Sequence, residues 1–149
     1  MRKQKFNLLF LFFAAFTFGC KENPVENNET LIFQLEGVIE TLEGDCAGVQ
    51  VRTRSFGNLD LTNTQKVKFN FSGMSDADLS SINIYYLVNN GPVYLINLPD
   101  RDQINVTNSV ELNSPNINEE LFLRVTLKSS VCTGQIFSLT FSDLKIYTK

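Results

Sequence analysis

Three observations predict an all-β chain folded as a single antiparallel β-sandwich of about eight strands: its composition, its alternation and the placing of its turn residues. Val, Ile and Thr supply 30 residues after position 19, against two alanines there, Ala47 and Ala77. β-Branched residues suit a pleated, half-buried surface. Apolar and polar residues alternate with period two in several runs, as strands with one face inward and one wet must. Polar connections separate those runs, which suits an Ig-like or a jelly-roll sandwich. A small closed barrel is the competing architecture. A transmembrane barrel is not, because the strands are too few and the outward positions carry Lys66, Lys68, Arg124 and Lys128.

In chain order, Leu31-Phe33-Leu35 and Val49-Val51 mark two early strands. Val67, Phe69 and Phe71 alternate with Lys66, Lys68 and Asn70 in a third. Ser75 to Asp78 has the form of a capping box, which predicts about one helical turn before the next strand. That strand carries Ile82, Ile84, Tyr86 and Val88. Asn89-Asn90-Gly91 supplies residues that tolerate positive φ, as a tight hairpin needs, and Pro92 predicts that the following strand lies at an edge. Tyr94-Leu95-Ile96 belongs to that strand, and Ile104 to Leu112 form the next. After a polar connection through Pro115, Leu121, Leu123, Val125 and Leu127 alternate with Phe122, Arg124, Thr126 and Lys128. The last run changes parity, from Phe137, Leu139 and Phe141 to Leu144 and Ile146. Side chains alternate strictly along a strand, so this slip predicts an extra residue, a β-bulge, near Ser142-Asp143.

The N-terminus has a different character. Arg2, Lys3 and Lys5 precede a run from Phe6 to Phe18, apolar but for Asn7 and Thr17 and closed by Gly19 and Cys20. A basic start, a short apolar core and a small residue before the cut describe a secretory signal. The 13 positions from 6 to 18 would span about 20 Å as a helix, short of a hydrocarbon core of about 30 Å. Thr17-Phe18-Gly19-Cys20 resembles a degenerate form of the lipobox of bacterial lipoproteins, and the Phe-rich core is similar to the signals of Bacteroidota. The resemblance implies that Cys20 receives a diacylglycerol and becomes the first mature residue. Thr17 and Gly19 also satisfy a small-x-small cleavage site, so ordinary secretion with an unmodified Cys20 is the alternative. Lysine, not aspartate, follows Cys20, which implies an outer-membrane anchor with the leaflet open. The organisation expected is a signal peptide over 1–19, a lipidated cysteine and flexible tether over 20–30, and the sandwich over 31–149.

Removing residues 1–19 takes away three of 13 basic residues and none of the 16 acidic ones, leaving a net charge of −6. That balance argues against nucleic acid, whose phosphates need lysine and arginine to displace counterions. Attachment to a membrane would come from the acyl chains. With Cys20 assigned to the anchor, Cys46 and Cys132 remain, and in an oxidising compartment two such cysteines pair. Each has a glycine two residues on, Gly48 and Gly134, and both are expected at strand entrances at one end of the domain. Two free buried thiols are the other reading.

Candidate chemistry is sparse. The chain has no histidine, which removes the commonest general base and most zinc sites. No glycine-rich phosphate loop is present, and nothing calls for a cofactor. Glu119 and Glu120 are adjacent, so on a strand they point to opposite faces and cannot flank one bond as glycosidase carboxylates do. Asp45, Asp76, Asp78, Asp100 and Asp102 are the aspartates that could converge at one end of a sandwich. Of these, Asp76, Asp78, Asp100 and Asp102 form two D-x-D pairs in expected loops, which makes them candidate calcium ligands. The same aspartates would serve equally as turn caps. Tyr85 should face away from Tyr86, and with Tyr94 on the neighbouring strand it is a candidate platform for a sugar or a protein partner. The expected function is therefore a non-catalytic, outer-membrane-anchored binding module with a protein or glycan partner. The alternatives are a periplasmic assembly accessory of an outer-membrane complex and, third, a carboxylate-based hydrolase.

Overall fold

The computed structural model describes residues 28–149, so Cys20 and the expected signal peptide lie outside the described residues. Eight strands follow in order: β1 (Thr30–Gly44), β2 (Gln50–Asp60), β3 (Lys66–Ser75), β4 (Ser81–Val88), β5 (Gly91–Pro99), β6 (Val106–Asn113), β7 (Asn118–Leu127) and β8 (Phe137–Thr148). One helical turn, α1 (Arg101–Ile104), lies between β5 and β6. The strands form two four-stranded antiparallel sheets, ordered β1-β8-β3-β6 and β2-β7-β4-β5.

The pairing follows one rule. β4 pairs with β5, β3 with β6, β2 with β7 and β1 with β8, so the chain is doubled back on itself about the β4–β5 hairpin. Two further pairings, β3 with β8 and β4 with β7, join these ribbons sideways into the two sheets. A doubled ribbon wrapped into two facing sheets is the jelly roll, which decides between the two sandwich types expected.

Inward residues of both sheets make the core. Phe69, Phe71, Leu139, Phe141, Leu144 and Ile146 come from one sheet, and Ile82, Ile84, Leu121, Leu123 and Val125 from the other, all buried. The Phe71 and Phe141 rings lie 5.3 Å apart. The expected bulge in β8 is present: Asn70 pairs with Lys145 but Ser72 with Ser142, so β8 carries one extra residue. Asp143 takes φ 56 there, and its carboxylate accepts the Gly37 N–H at 2.9 Å. Gly37, at φ +74, sits in a register shift of β1 facing the same point. The bulge thus spans neighbouring strands and lets both Phe141 and Leu144 face inward.

Two expectations are corrected. Ser75 does not open a helix; it ends β3, and the chain from 76 to 80 is a turn. Its hydroxyl is buried, accepting the Ala77 N–H at 3.2 Å and donating to Ser80 Oγ at 2.7 Å. A serine bonded two residues ahead favours a local turn over a helix start. Ile104 is not in a strand but closes α1, buried under the end of the sandwich, and β6 starts at Val106. Its apolar spacing with Val106 mimicked a strand, but Asp100 at φ 79 turns the chain before it.

The Asn89-Asn90 hairpin is as expected. Both residues take positive φ, 50 and 64, and Val88 pairs directly with Gly91, as in a two-residue type I′ turn. Pro92 lies on β5, an edge strand.

Candidate functional site

The outer face of the β2-β7-β4-β5 sheet gathers aromatic side chains. Register places Phe122 of β7 beside Tyr85 of β4, and Tyr85 beside Tyr94 of β5. The Tyr85 and Phe122 rings stack at 5.5 Å with planes 24° apart. Tyr85 and Tyr94 lie 5.8 Å apart and tilted by 57°. Tyr86, one residue on, packs against the core, so the expected opposition of Tyr85 and Tyr86 holds.

Tyr94 joins this row because of a bulge. Ile84 pairs with Ile96, but Tyr85 pairs with Tyr94, which leaves Leu95 as an extra residue in β5. Strict alternation from the buried Ile96 would aim Leu95 outward and Tyr94 inward. Instead Leu95 packs against the core and Tyr94 is 45% exposed. A second bulge ends the row at β2. Ser55 pairs with Phe122 and Gly57, at φ 79, with Leu121. The extra residue, Phe56, turns to pack 5.4 Å from Phe33.

The adjoining row is polar. Thr53, Arg124, Asn83 and Asn97 are register partners across the four strands. Asn83 Nδ2 donates to Asn97 Oδ1 at 3.4 Å, and Asn83 is itself buried. Arg124 is exposed and makes no salt bridge among the described residues. On the other side of the aromatic row, Glu120 accepts the Ser55 hydroxyl. Glu120, Phe122 and Arg124 therefore follow one another along one face of β7. The sequence reading missed Phe122, Asn83 and Asn97 as parts of this face. The signal for Phe122 was present, an aromatic at an outward position of an otherwise polar series.

The loop end of the sandwich is built differently. Cys46, before β2, and Cys132, before β8, form a disulfide with Cα atoms 5.2 Å apart. This joins two loops at one end, as the strand-entrance reading requires. Asp76, Asp78, Asp100, Asp102 and Arg101 line adjoining depressions there, one of about 190 Å³ and another of about 380 Å³. Two of the four carboxylates, Asp76 and Asp78, are engaged by the backbone. Asp76 accepts the Ser138 N–H at 2.6 Å, and Asp78 accepts the Ser130 N–H at 2.8 Å together with its hydroxyl. Those Ser130 hydrogen bonds, the hydroxyl first, hold the Asp78 carboxyl below the ordinary aspartate range. Asp45 accepts the Ala47 N–H at 3.0 Å. Among the described residues no three acidic, cysteine or histidine side chains are grouped to hold a metal ion. The calcium candidates thus lie near one another, Asp76 and Asp78 bonded to backbone N–H groups and Asp102 beside Arg101 at 3.7 Å, and are not grouped as a ligand set.

The basic residues divide between the two sheets. Lys68 bridges Glu29 at 3.2 Å and lies 5.9 Å from the Tyr147 ring, and Lys66 bridges Glu111 at 3.4 Å. Both belong to β3, on the sheet opposite β7, so they form no common patch with Arg124.

No protein-family model matches the chain, and no curated protein matches it. Among solved structures it is similar to a chain in the structure of infectious bursal disease virus Gt strain. The identity is 14% and the TM-score 0.47, over 82% of this chain and 32% of that one, so the match spans about a third of the viral chain.

Proposed function

We propose that the protein is a lipoprotein of the bacterial outer membrane, anchored through Cys20, whose jelly-roll domain is a non-catalytic binding module. The observation that carries the binding role is the row Phe122, Tyr85 and Tyr94 on an outer sheet face. Core packing does not require aromatics there, and tyrosine combines apolar area with a polar tip at recognition surfaces. The anchor rests on Gly19-Cys20 and the apolar run before them. The non-catalytic reading draws support from Asp76 and Asp78, whose carboxylates are taken up by the Ser138 and Ser130 backbone N–H groups at 2.6 and 2.8 Å.

A second reading, the periplasmic assembly accessory, is favoured by one feature. Leu79, Val131 and Ile136 are exposed in the loops at the disulfide end, and apolar loop tips suit contact with another protein.

Protease shaving of intact native cells, with mass analysis of the Cys20 peptide, tests the location. A diacylglyceryl thioether on Cys20 and loss of the domain from intact cells are expected for a surface module. An unmodified Cys20 thiol overturns the anchor. A domain protected until the outer membrane is opened, with one stoichiometric membrane protein on pull-down, moves the assignment to the accessory.

A further inference from the structure

Resting on the reading of this domain as a binding module, we propose that the outer face of the β2-β7-β4-β5 sheet takes a carboxylate-bearing glycan, made of sugar acids and not of neutral sugars alone. The aromatic row crosses three adjacent strands, β7, β4 and β5. At roughly 4.8 Å per strand its ends lie about 10 Å apart, enough for the apolar faces of a short run of sugar rings. The row alongside supplies the exposed amide of Asn97, whose Oδ1 is held by the buried Asn83 at 3.4 Å and whose Nδ2 is left to donate to ring hydroxyls. Arg124 adds a guanidinium two residues from Phe122 on the same face, exposed and without a salt bridge among the described residues. A planar fork of donors of this kind matches a carboxylate in two parallel hydrogen bonds. Charge complementarity at Arg124 thus selects an acidic group on that side of the aromatic row, away from Glu120, which lies beyond the row and accepts the Ser55 hydroxyl. An extended peptide suits the face less well. β7 and β4 are inner strands whose backbone groups are paired on both sides, and strand addition needs a free edge.

The test uses the chain expressed with its own N-terminus and purified in detergent. Binding is titrated against oligogalacturonate, oligoalginate, hyaluronan oligosaccharides and sialyllactose, each beside its methyl ester, which removes the charge and keeps the rings. At least one acid should bind, and its ester about tenfold more weakly, the loss of one charge-assisted contact. Arg124→Gln should bring the acid down to the level of the ester and leave the ester unchanged. Tyr94→Ala, on an exposed edge position, should weaken both, with an unchanged melting temperature as the control for folding. Equal binding of acid and ester, an Arg124→Gln variant that binds as before, or no binding to any of the four overturns the proposal. In the last case, specific capture of a protein partner from solubilised envelope retains the binding-module reading. Silence in both assays removes that reading as well.

Discussion

Asp78 ties the β3–β4 turn to the β7–β8 connection through the Ser130 N–H and hydroxyl, and these bonds lower its pKa. A carboxyl with a depressed folded pKa contributes stability that is whole above its unfolded value of about 3.9 and is lost as pH falls through the folded value. Asp78→Asn is therefore expected to melt at a lower temperature than the parent at pH 7. The two curves should converge as pH falls below the ordinary aspartate range and through the depressed folded value, as read by thermal denaturation across pH. Gly73 illustrates close packing where no turn is involved. A Cβ there would lie 2.7 Å from Ile82 Cδ1 and 3.3 Å from Ile104 Cγ2. Both isoleucines are fully buried, so neither can move aside into solvent. Gly73→Ala should lower unfolding free energy by about 1–3 kcal/mol, the usual scale of overpacking, measurable by urea titration.

At the scale of elements, turn chemistry was legible because it is local. Asn89 and Asn90 both occupy the left-handed region, where asparagine is tolerated and glycine carries no steric penalty. Asn90→Gly should raise stability by a few tenths to about 1 kcal/mol, and Asn90→Ala should lower it by about 1 kcal/mol. The opposite signs, read from paired urea titrations, distinguish a true type I′ turn from a loose loop. The β8 bulge was also legible, since its parity change is printed in the run from Phe141 to Leu144. The bulges at Leu95 and Phe56 were not. Each displaced residue is apolar and finds an inward place, so the local pattern carries no mismatch to give the bulge away. The helical expectation at Ser75 and the strand expectation at Ile104 failed for the same kind of reason. Each local pattern suits two conformations, and packing at the end of the sandwich selects between them.

For the whole molecule, the Cys46–Cys132 disulfide joins residues 86 apart in sequence. In the chain-entropy model a closed loop of that length stabilises by about 4–5 kcal/mol. The Cys46→Ser/Cys132→Ser double variant is expected to lose an amount of that order, seen as a lower urea midpoint. A parent protein whose midpoint is unmoved by reductant would show that the two loops are held by other contacts. The pairing of β1 with β8 and β2 with β7 demands that distant segments meet before their burial repays the loop entropy. Refolding is accordingly expected in the millisecond-to-second range typical of such topologies, by stopped-flow fluorescence of the four tyrosines.

Local sequence pattern specified the class of fold, about eight strands, the β4–β5 hairpin, the bulge in β8 and the opposition of Tyr85 to Tyr86. Periodicity, turn residues and parity act over a few residues and are readable there. Tertiary structure decided which strands are neighbours, and so chose the jelly roll from the possible sandwiches. It bonded Asp76 and Asp78 to the backbone of Ser138 and Ser130 and set Phe122, Tyr85 and Tyr94 in one row with Arg124 alongside. Those outcomes depend on pairing between residues far apart in the chain and on bulges that bury one side chain by turning its neighbour outward. Such choices are settled by the packing of the whole core and leave no mark in any short stretch of sequence.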